Sequence, residues 1–477
     1  MKNVKMTVVC VVVILSLVAL NGCKKASPTA PVVSTNTPAA VIGTATLTST
    51  ITQSVTGTGT ATAVYSATAT MTHTITCSMT QSSTAENTFT LTATVTPVFS
   101  ATLTVTRTSS ATPTKTVTQT NTVTVTATIT LTATATIAAW QYVGPAGFSD
   151  GGVNYIASYV YNGTPYVAYQ DEANAKKILV KKYNGAAWET VGSWLTNGEA
   201  DSISVFVYNG IPYVSYADND YGFGVVVKKY NSSAWELVGT GGFSAADVYD
   251  TSLFVDSGTP YVAYRDVGNG SKATVMKFNG SSWGAVGSAG ISAGIINTPS
   301  LYVYGGSPYV AYDDVANGGR SAVMQYSTSW AAVGNAGSSG LQAYYHSLDV
   351  STGTPYLASV EDGIVKVKKF TAGSWAQVGL NLTTVSVNTG GSSNSAYSSI
   401  CLYGGIPYVA YSDADNAGKV TVKKYNGTSW VLVGAAGFSP GYAGFVSIHA
   451  DTGTGTLYVS FKDSNLSAKA MVMKFTE

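Results

Sequence analysis

Seven acids stand at equivalent places in the C-terminal part of the sequence: Asp171, Asp218, Asp266, Asp314, Glu361, Asp413 and Asp463. A ring of carboxylates would attract cations or sugar hydroxyls. An acid at a strand end also accepts backbone N–H bonds from the turn that follows, and identical turns need identical acids, so the regularity favours turn formation. Serine recurs in the same manner at Ser204, Ser252, Ser300, Ser347, Ser399 and Ser447, which marks a strand position rather than one activated nucleophile. The three histidines, His73, His346 and His449, lie far apart without paired metal-ligand spacing, and no cysteine cluster or glycine-rich phosphate loop occurs. No catalytic set, metal site or cofactor is therefore expected. Two unique carboxylates, Asp201 and Asp250, keep a hydrolase or lyase built on a carboxylate pair open, since their separation is not readable from sequence.

The better binding candidates are residues that break the repetition. Tyr155, Ser202, Asp250, Thr298, Tyr345, Tyr397 and Phe445 precede successive copies of one strand and differ in size and polarity. Near them lie Trp194, the one tryptophan outside the repeat register, and Asp201, Tyr249, Tyr344, His346 and Tyr442. Aromatic faces among short polar groups suit sugar rings or peptide segments, because they combine apolar area with hydrogen bonding at low entropy cost. The expected ligand site is Tyr155, Trp194, Asp201, Tyr249, Asp250, Tyr345, His346, Tyr397, Tyr442 and Phe445, on a face of variable loops.

The elements that position these residues follow from an internal repeat. Tryptophans fall at 140, 188, 235, 283, 330, 375 and 430, with spacings of 48, 47, 48, 47, 45 and 55. Each unit reads S-hydrophobic-x-V-x-x-G-x-P-Y-V-A-Y-x-D, a polar loop, V-x-K-[YF]-N-G-x-S-W-x-x-V-G and a variable connection. Runs such as Ser202 to Val207 and Tyr213 to Tyr216 are β-branched or aromatic, and Asn209-Gly210 between them suits a tight hairpin. Four strands per unit at this period predict an all-β fold, a seven-bladed β-propeller of four-stranded antiparallel blades over residues 139–477. The recurring tryptophans are expected to pack between blades. The last unit ends at Met473-Lys474-Phe475 without its W-x-x-V-G strand, and Trp140-Gln141-Tyr142-Val143-Gly144 supplies that strand at the start of the domain. A ring closed by the N-terminal strand is the expectation.

The unit resembles the kelch-like class of propeller repeats, in which a G-x-x-Y-V strand is followed by an aromatic strand and a tryptophan strand. Tyr169-Gln170-Asp171 stands here where kelch repeats carry a diglycine. By resemblance, a sialidase propeller would need an arginine triad, and this one holds only Arg265 and Arg320.

Ahead of the repeats, Lys2 and Lys5 precede the apolar run Val8 to Leu20, which is too short to span a bilayer and has the form of a secretory signal over residues 1–22. The run ends in Leu20-Asn21-Gly22-Cys23, which resembles the bacterial lipobox. That resemblance implies acylation of Cys23, membrane attachment through the lipid alone and, with Lys24 following, an outer-membrane location facing outward. Residues 23–138 are rich in Thr, Ser and Ala and read as a low-complexity extended stalk, with a β-solenoid or fibrous segment as the alternative. Stretched fully, the part from Ala26 to Ala138 would reach about 370 Å at roughly 3.3 Å per residue.

Only 10% of the 477 residues are charged and the net charge is +1, so no basic stripe exists to neutralise phosphates and nucleic acid is excluded as a partner. The sequence thus predicts a monomeric, envelope-anchored, non-enzymatic adhesion or binding module for a glycan or protein ligand. A polysaccharide-acting hydrolase or lyase and an envelope assembly scaffold are the alternatives.

Overall fold

The computed structural model describes residues 139–335, 338–384 and 397–476, and the backbone of 41–54, 64–77, 100–111 and 115–126. The signal segment 1–22 and Cys23 lie outside the described residues. The chain divides into two compact units, Met1–Thr136 and Ile137–Glu477. In the first, Val41–Ser54 pairs antiparallel with Val64–Cys77, and Ser100–Ala111 with Lys115–Thr126. Threonine alternating with apolar residues has the period of a strand, and the backbone follows it.

The second unit is a seven-bladed β-propeller. Each blade is a four-stranded antiparallel meander. The inner strands are Val153–Tyr161, Ala200–Tyr208, Val248–Asp256, Ile296–Tyr304, Ala343–Ser351, Ser398–Tyr403 and Ala443–Ala450, for blades 1 to 7 in order. They touch one another all the way round, the seventh returning to the first. Blade 7 takes its outer strand, Gln141–Tyr142, from the start of the unit, pairing Tyr142 with Met473 and Gln141 with Lys474. The ring is closed as the missing final strand predicts.

The recurrent residues hold blades together. Each repeat tryptophan donates its indole N–H to a carbonyl of the preceding blade: Trp188 to Val143, Trp235 to Val191, Trp283 to Val238, Trp330 to Val286, Trp375 to Val333, Trp430 to Val378, and Trp140 to Val433. The glycine after each of these valines is forced by the same contact. Gly239 has φ +73°, and a Cβ there would lie 2.8 Å from the Phe278 ring.

Five of the seven recurrent acids form turns, whereas Asp266 accepts from the Asn269 and Thr274 side chains. Asp171, Asp218, Asp314, Asp413 and Asp463 each accept a backbone N–H two residues on, at 2.9 to 3.1 Å. Glu361, one methylene longer, instead meets Lys368 at 2.7 Å and Lys366 at 3.3 Å. The recurrent serines also link blades, since Ser204, Ser252, Ser300, Ser347 and Ser399 accept backbone N–H bonds from the next inner strand.

Candidate functional site

Every inner strand but the sixth breaks register near its start, between Asn154/Ala157, Asp201/Ser204, Tyr249/Ser252, Asn297/Ser300, Tyr344/Ser347 and Gly444/Ser447. Inside these bulges a non-glycine residue adopts left-handed backbone: Tyr155 at φ 43°, Ser202 at 56°, Asp250 at 53°, Thr298 at 42°, Tyr345 at 53° and Phe445 at 54°. Tyr397 holds the corresponding place before the inner strand of blade 6. Left-handed backbone costs a residue with a Cβ on the order of 1–3 kcal/mol, most for β-branched Thr298. A bulge re-aims one side chain, and here it does so at one level of successive blades.

The re-aimed side chains divide into two arcs. On blades 5, 6, 7 and 1 they are aromatic and continuous, with ring centres 4.7 Å apart for Tyr345 and Tyr397, 5.0 Å for Tyr397 and Phe445, and 5.9 Å for Phe445 and Tyr155. Tyr442 lies close enough that its hydroxyl acts on that of Tyr397, whose pKa is raised chiefly by burial.

On blades 2 to 4 the arc is polar. Asp250 donates its backbone N–H to Ser202 Oγ at 3.0 Å, and its carboxylate accepts from the Thr298 N–H. The Asp250 carboxyl is pushed above its ordinary value by burial, against the opposing pull of Arg265. Asp201 is also raised, by burial first and then by the charges of Asp250 and Glu199. Arg265 lies over the Tyr249 ring at 5.2 Å and donates to Asn297 Oδ1 at 3.1 Å. Asn297 in turn donates twice to Asp313, through its backbone and side-chain nitrogens, each at 2.8 Å. Burial lifts the Asp313 carboxyl to about 6. The arcs meet at Tyr155, whose hydroxyl is raised by burial and by the charges of Asp201, Asp250 and Glu199.

Two buried polar atoms of the polar arc have no partner: Asp201 Oδ1, an acceptor, and Arg265 Nε, a donor. Among the described residues no group of three or more His, Cys, Asp or Glu is arranged to hold a metal ion. Asp250 acts electrostatically on both Asp201 and Asp313.

Tyr155, Asp201, Tyr249, Asp250, Tyr345, Tyr397, Tyr442 and Phe445 therefore fall around one ring. Trp194, like Phe445, packs against the apolar cluster that contains Val143, Phe148 and Val153. His346 is buried, its Nε2 2.8 Å from Ser321 Oγ and its Nδ1 3.4 Å from Thr298 Oγ1, so it ties blade 5 to blade 4. Arg265, Asn297 and Asp313 were not among the expected binding residues. Their signal was present in the repeat: the x of Tyr-x-Asp, directly opposite the last residue before the bulge, is Gln170, Ala217, Arg265 and Asp313 in blades 1 to 4.

No family model matches this sequence. No curated protein is similar to it. Among solved structures, the PL25 polysaccharide lyase described as an ulvan lyase is 12% identical with a TM-score of 0.45, covering 69% of this chain and 94% of that one. AofleA from Arthrobotrys oligospora is 11% identical with a TM-score of 0.42, over 61% and 89% of the two chains. The lectin of Aleuria aurantia is 17% identical with a TM-score of 0.38, over 62% and 99%. Similarity at this level says nothing of a shared ligand.

Proposed function

We propose that the propeller is a carbohydrate-binding module that holds a neutral, hydroxyl-rich glycan at the bulge ring, displayed from the cell envelope by an acylated Cys23 and the threonine-rich segment. The observation that carries this reading is the four-ring aromatic arc, which meets the polar arc of Asp201 and Asp250 at Tyr155. A sugar covers a tyrosine ring with its apolar face while its hydroxyls donate to the neighbouring carboxylates. The strained bulges support the same reading, because strain kept at one level of six blades holds these side chains where packing alone would not.

A polysaccharide-acting enzyme is the second reading, favoured by the raised Asp201 and Asp250 carboxyls, one of which would serve as a general acid. Glycan-array binding by the full chain tests the first reading. Retention of a glycan that falls at least tenfold in Tyr345→Ala and in Asp201→Asn is expected, and an array without hits, or hits indifferent to both changes, removes it. Turnover of the retained glycan, abolished in Asp250→Asn, would shift the assignment to the enzyme. Palmitate labelling lost in Cys23→Ser is the corresponding check on display.

A further inference from the structure

Past the bulge, the inner strands surround an axial cavity of about 980 Å³ that runs from Ile156 and Phe445 to the first hairpin turns at Asn162, Asn209 and Gly305. Its walls carry one position per blade that the repeat leaves free, the residue paired with the second-strand aromatic Tyr166, Tyr213, Tyr261, Tyr309, Tyr356, Tyr408 or Tyr458. That position is Tyr159, Phe206, Phe254, Tyr302, Asp349, Cys401 and His449 in blades 1 to 7. The rings of blades 7, 1, 2, 3 and 4 form a continuous wall. Centres are 5.3 Å apart for His449 and Tyr159, 4.5 Å for Tyr159 and Phe206, and 4.8 Å for Phe206 to Phe254 and for Phe254 to Tyr302. Blades 5 and 6 interrupt it with Asp349 and Cys401.

Asp349 accepts the Leu402 N–H at 2.8 Å, the Val350 N–H and a bond from the Tyr302 hydroxyl, and it acts electrostatically on Tyr159 across the axis. Among the described residues it has no ion pair. The cavity lining contains one further carboxylate, Asp256, near the mouth, and neither lysine nor arginine. Cys401 and His449 do not make a nucleophilic pair. The thiol is pushed up by burial and accepts the Ala450 N–H, while His449 Nε2 lies 3.1 Å from Ser447 Oγ and the ring also meets the Ser158 backbone.

We propose that this cavity is a second binding site, for an organic monocation: an ammonium group on an apolar stem, the ammonium on Asp349 and the stem against Phe206 and Phe254. A half-buried carboxylate on the cavity wall with no ion-pair partner is the group such a ligand completes, and the aromatic wall supplies the apolar area for its stem. The site lies toward the hairpin turns rather than at the bulge ring and stands independently of the glycan reading. The ammonium could belong to a free amine or to a lysine side chain presented by another protein.

The test is calorimetric titration of the full chain at pH 7.5 with n-butylammonium, n-butanol and a short peptide containing one lysine. Saturable binding of butylammonium but not butanol is expected, weakened at least tenfold in Asp349→Asn and unchanged in Tyr345→Ala. Equal binding of the peptide would assign the cavity to a lysine side chain, and its failure to free amines; both keep the proposal. If Asp349→Asn does not fold, wild-type binding is followed against pH. It should fall as the solution passes below about 6, where burial places the Asp349 carboxyl. The other titratable groups on these walls are Tyr159, Tyr161, Tyr208, Tyr302, Tyr304, Cys401, His449 and Asp256; burial raises Tyr159, Tyr302 and Cys401 and lowers His449 to about 4. No saturable binding of butylammonium or peptide, equal binding of butanol, or unchanged affinity in Asp349→Asn or across pH 6 would overturn it.

Discussion

His346 shows how one side chain couples the bulge ring to the packing beneath it. Its ring sits between Thr298 and Ser321, both of blade 4, and burial lowers its pKa from 6.5 to about 3. A folded value below the unfolded one means that the unfolded chain takes up the proton first. The contribution of His346 is therefore complete above about 6.5 and is lost progressively as the pH falls toward 3. Asp313 and Asp349, raised to about 6 by burial, act in the opposite sense, since their ionised forms are penalised as the pH rises through that range. The wild-type profile mixes these trends, so the informative quantity is a difference. Wild type minus His346→Asn in thermal midpoint should be positive at pH 7.5 and shrink steadily down to pH 4. A gap that does not change over that range would show that the imidazole does not stay neutral in the fold.

At the scale of the element, the inner strand of each blade is a sheet edge with backbone groups that its own blade leaves unpaired. The serine before its apolar residue meets that need in the neighbouring blade. Ser252 Oγ accepts from the Leu301 N–H at 3.0 Å and Ser300 Oγ from Leu348 at 2.9 Å, whereas Ser447 turns to His449 instead. Ser252→Ala and Ser300→Ala should each cost about 1–2 kcal/mol in urea unfolding, by leaving an amide unmet. Ser447→Ala should cost clearly less, and equal losses at all three would mean that the serines act through packing alone. This rung, the tryptophan tie and the acid turn were legible in the sequence because each is one interaction repeated with the blade, so its residue type recurs. The arcs were only half legible. Ring neighbours such as Tyr345 and Tyr397, 4.7 Å apart, belong to different repeats, and convergence on an axis leaves no local pattern. What it leaves is variation at a fixed place in a constant strand, which exposes Arg265, Asp313 and the Asp349 position only once the register of the blades is known.

For the whole molecule, closure is a non-covalent clasp. Gln141–Tyr142 pairs with the third strand of blade 7, Lys469–Phe475, and the Val143 and Phe148 N–H groups extend the seam to Val472 and Ala470 at 2.9 and 3.1 Å. Trp140 stacks on Phe438 at 4.4 Å and donates to Val433 at 2.9 Å. Trp283 is its counterpart in the middle of the ring, stacked on Phe243 at 4.4 Å and bonded to Val238 at 2.6 Å. Replacing either by Ala removes the same kind of contact, about 3–5 kcal/mol for a large aromatic, so local packing alone predicts similar losses. The difference is in what each loss exposes. At Trp283 the outer strand remains covalently joined to its blade, whereas at Trp140 it belongs to the far end of the unit, and its release bares the full edge of Lys469–Phe475 to another chain. Trp140→Ala, and more so deletion of 140–144, should therefore unfold faster than Trp283→Ala and produce concentration-dependent oligomers by size-exclusion chromatography with light scattering. A monomeric Trp140→Ala protein that unfolds no faster than Trp283→Ala would mean that the contacts between inner strands keep the ring shut and that the clasp contributes only its own packing.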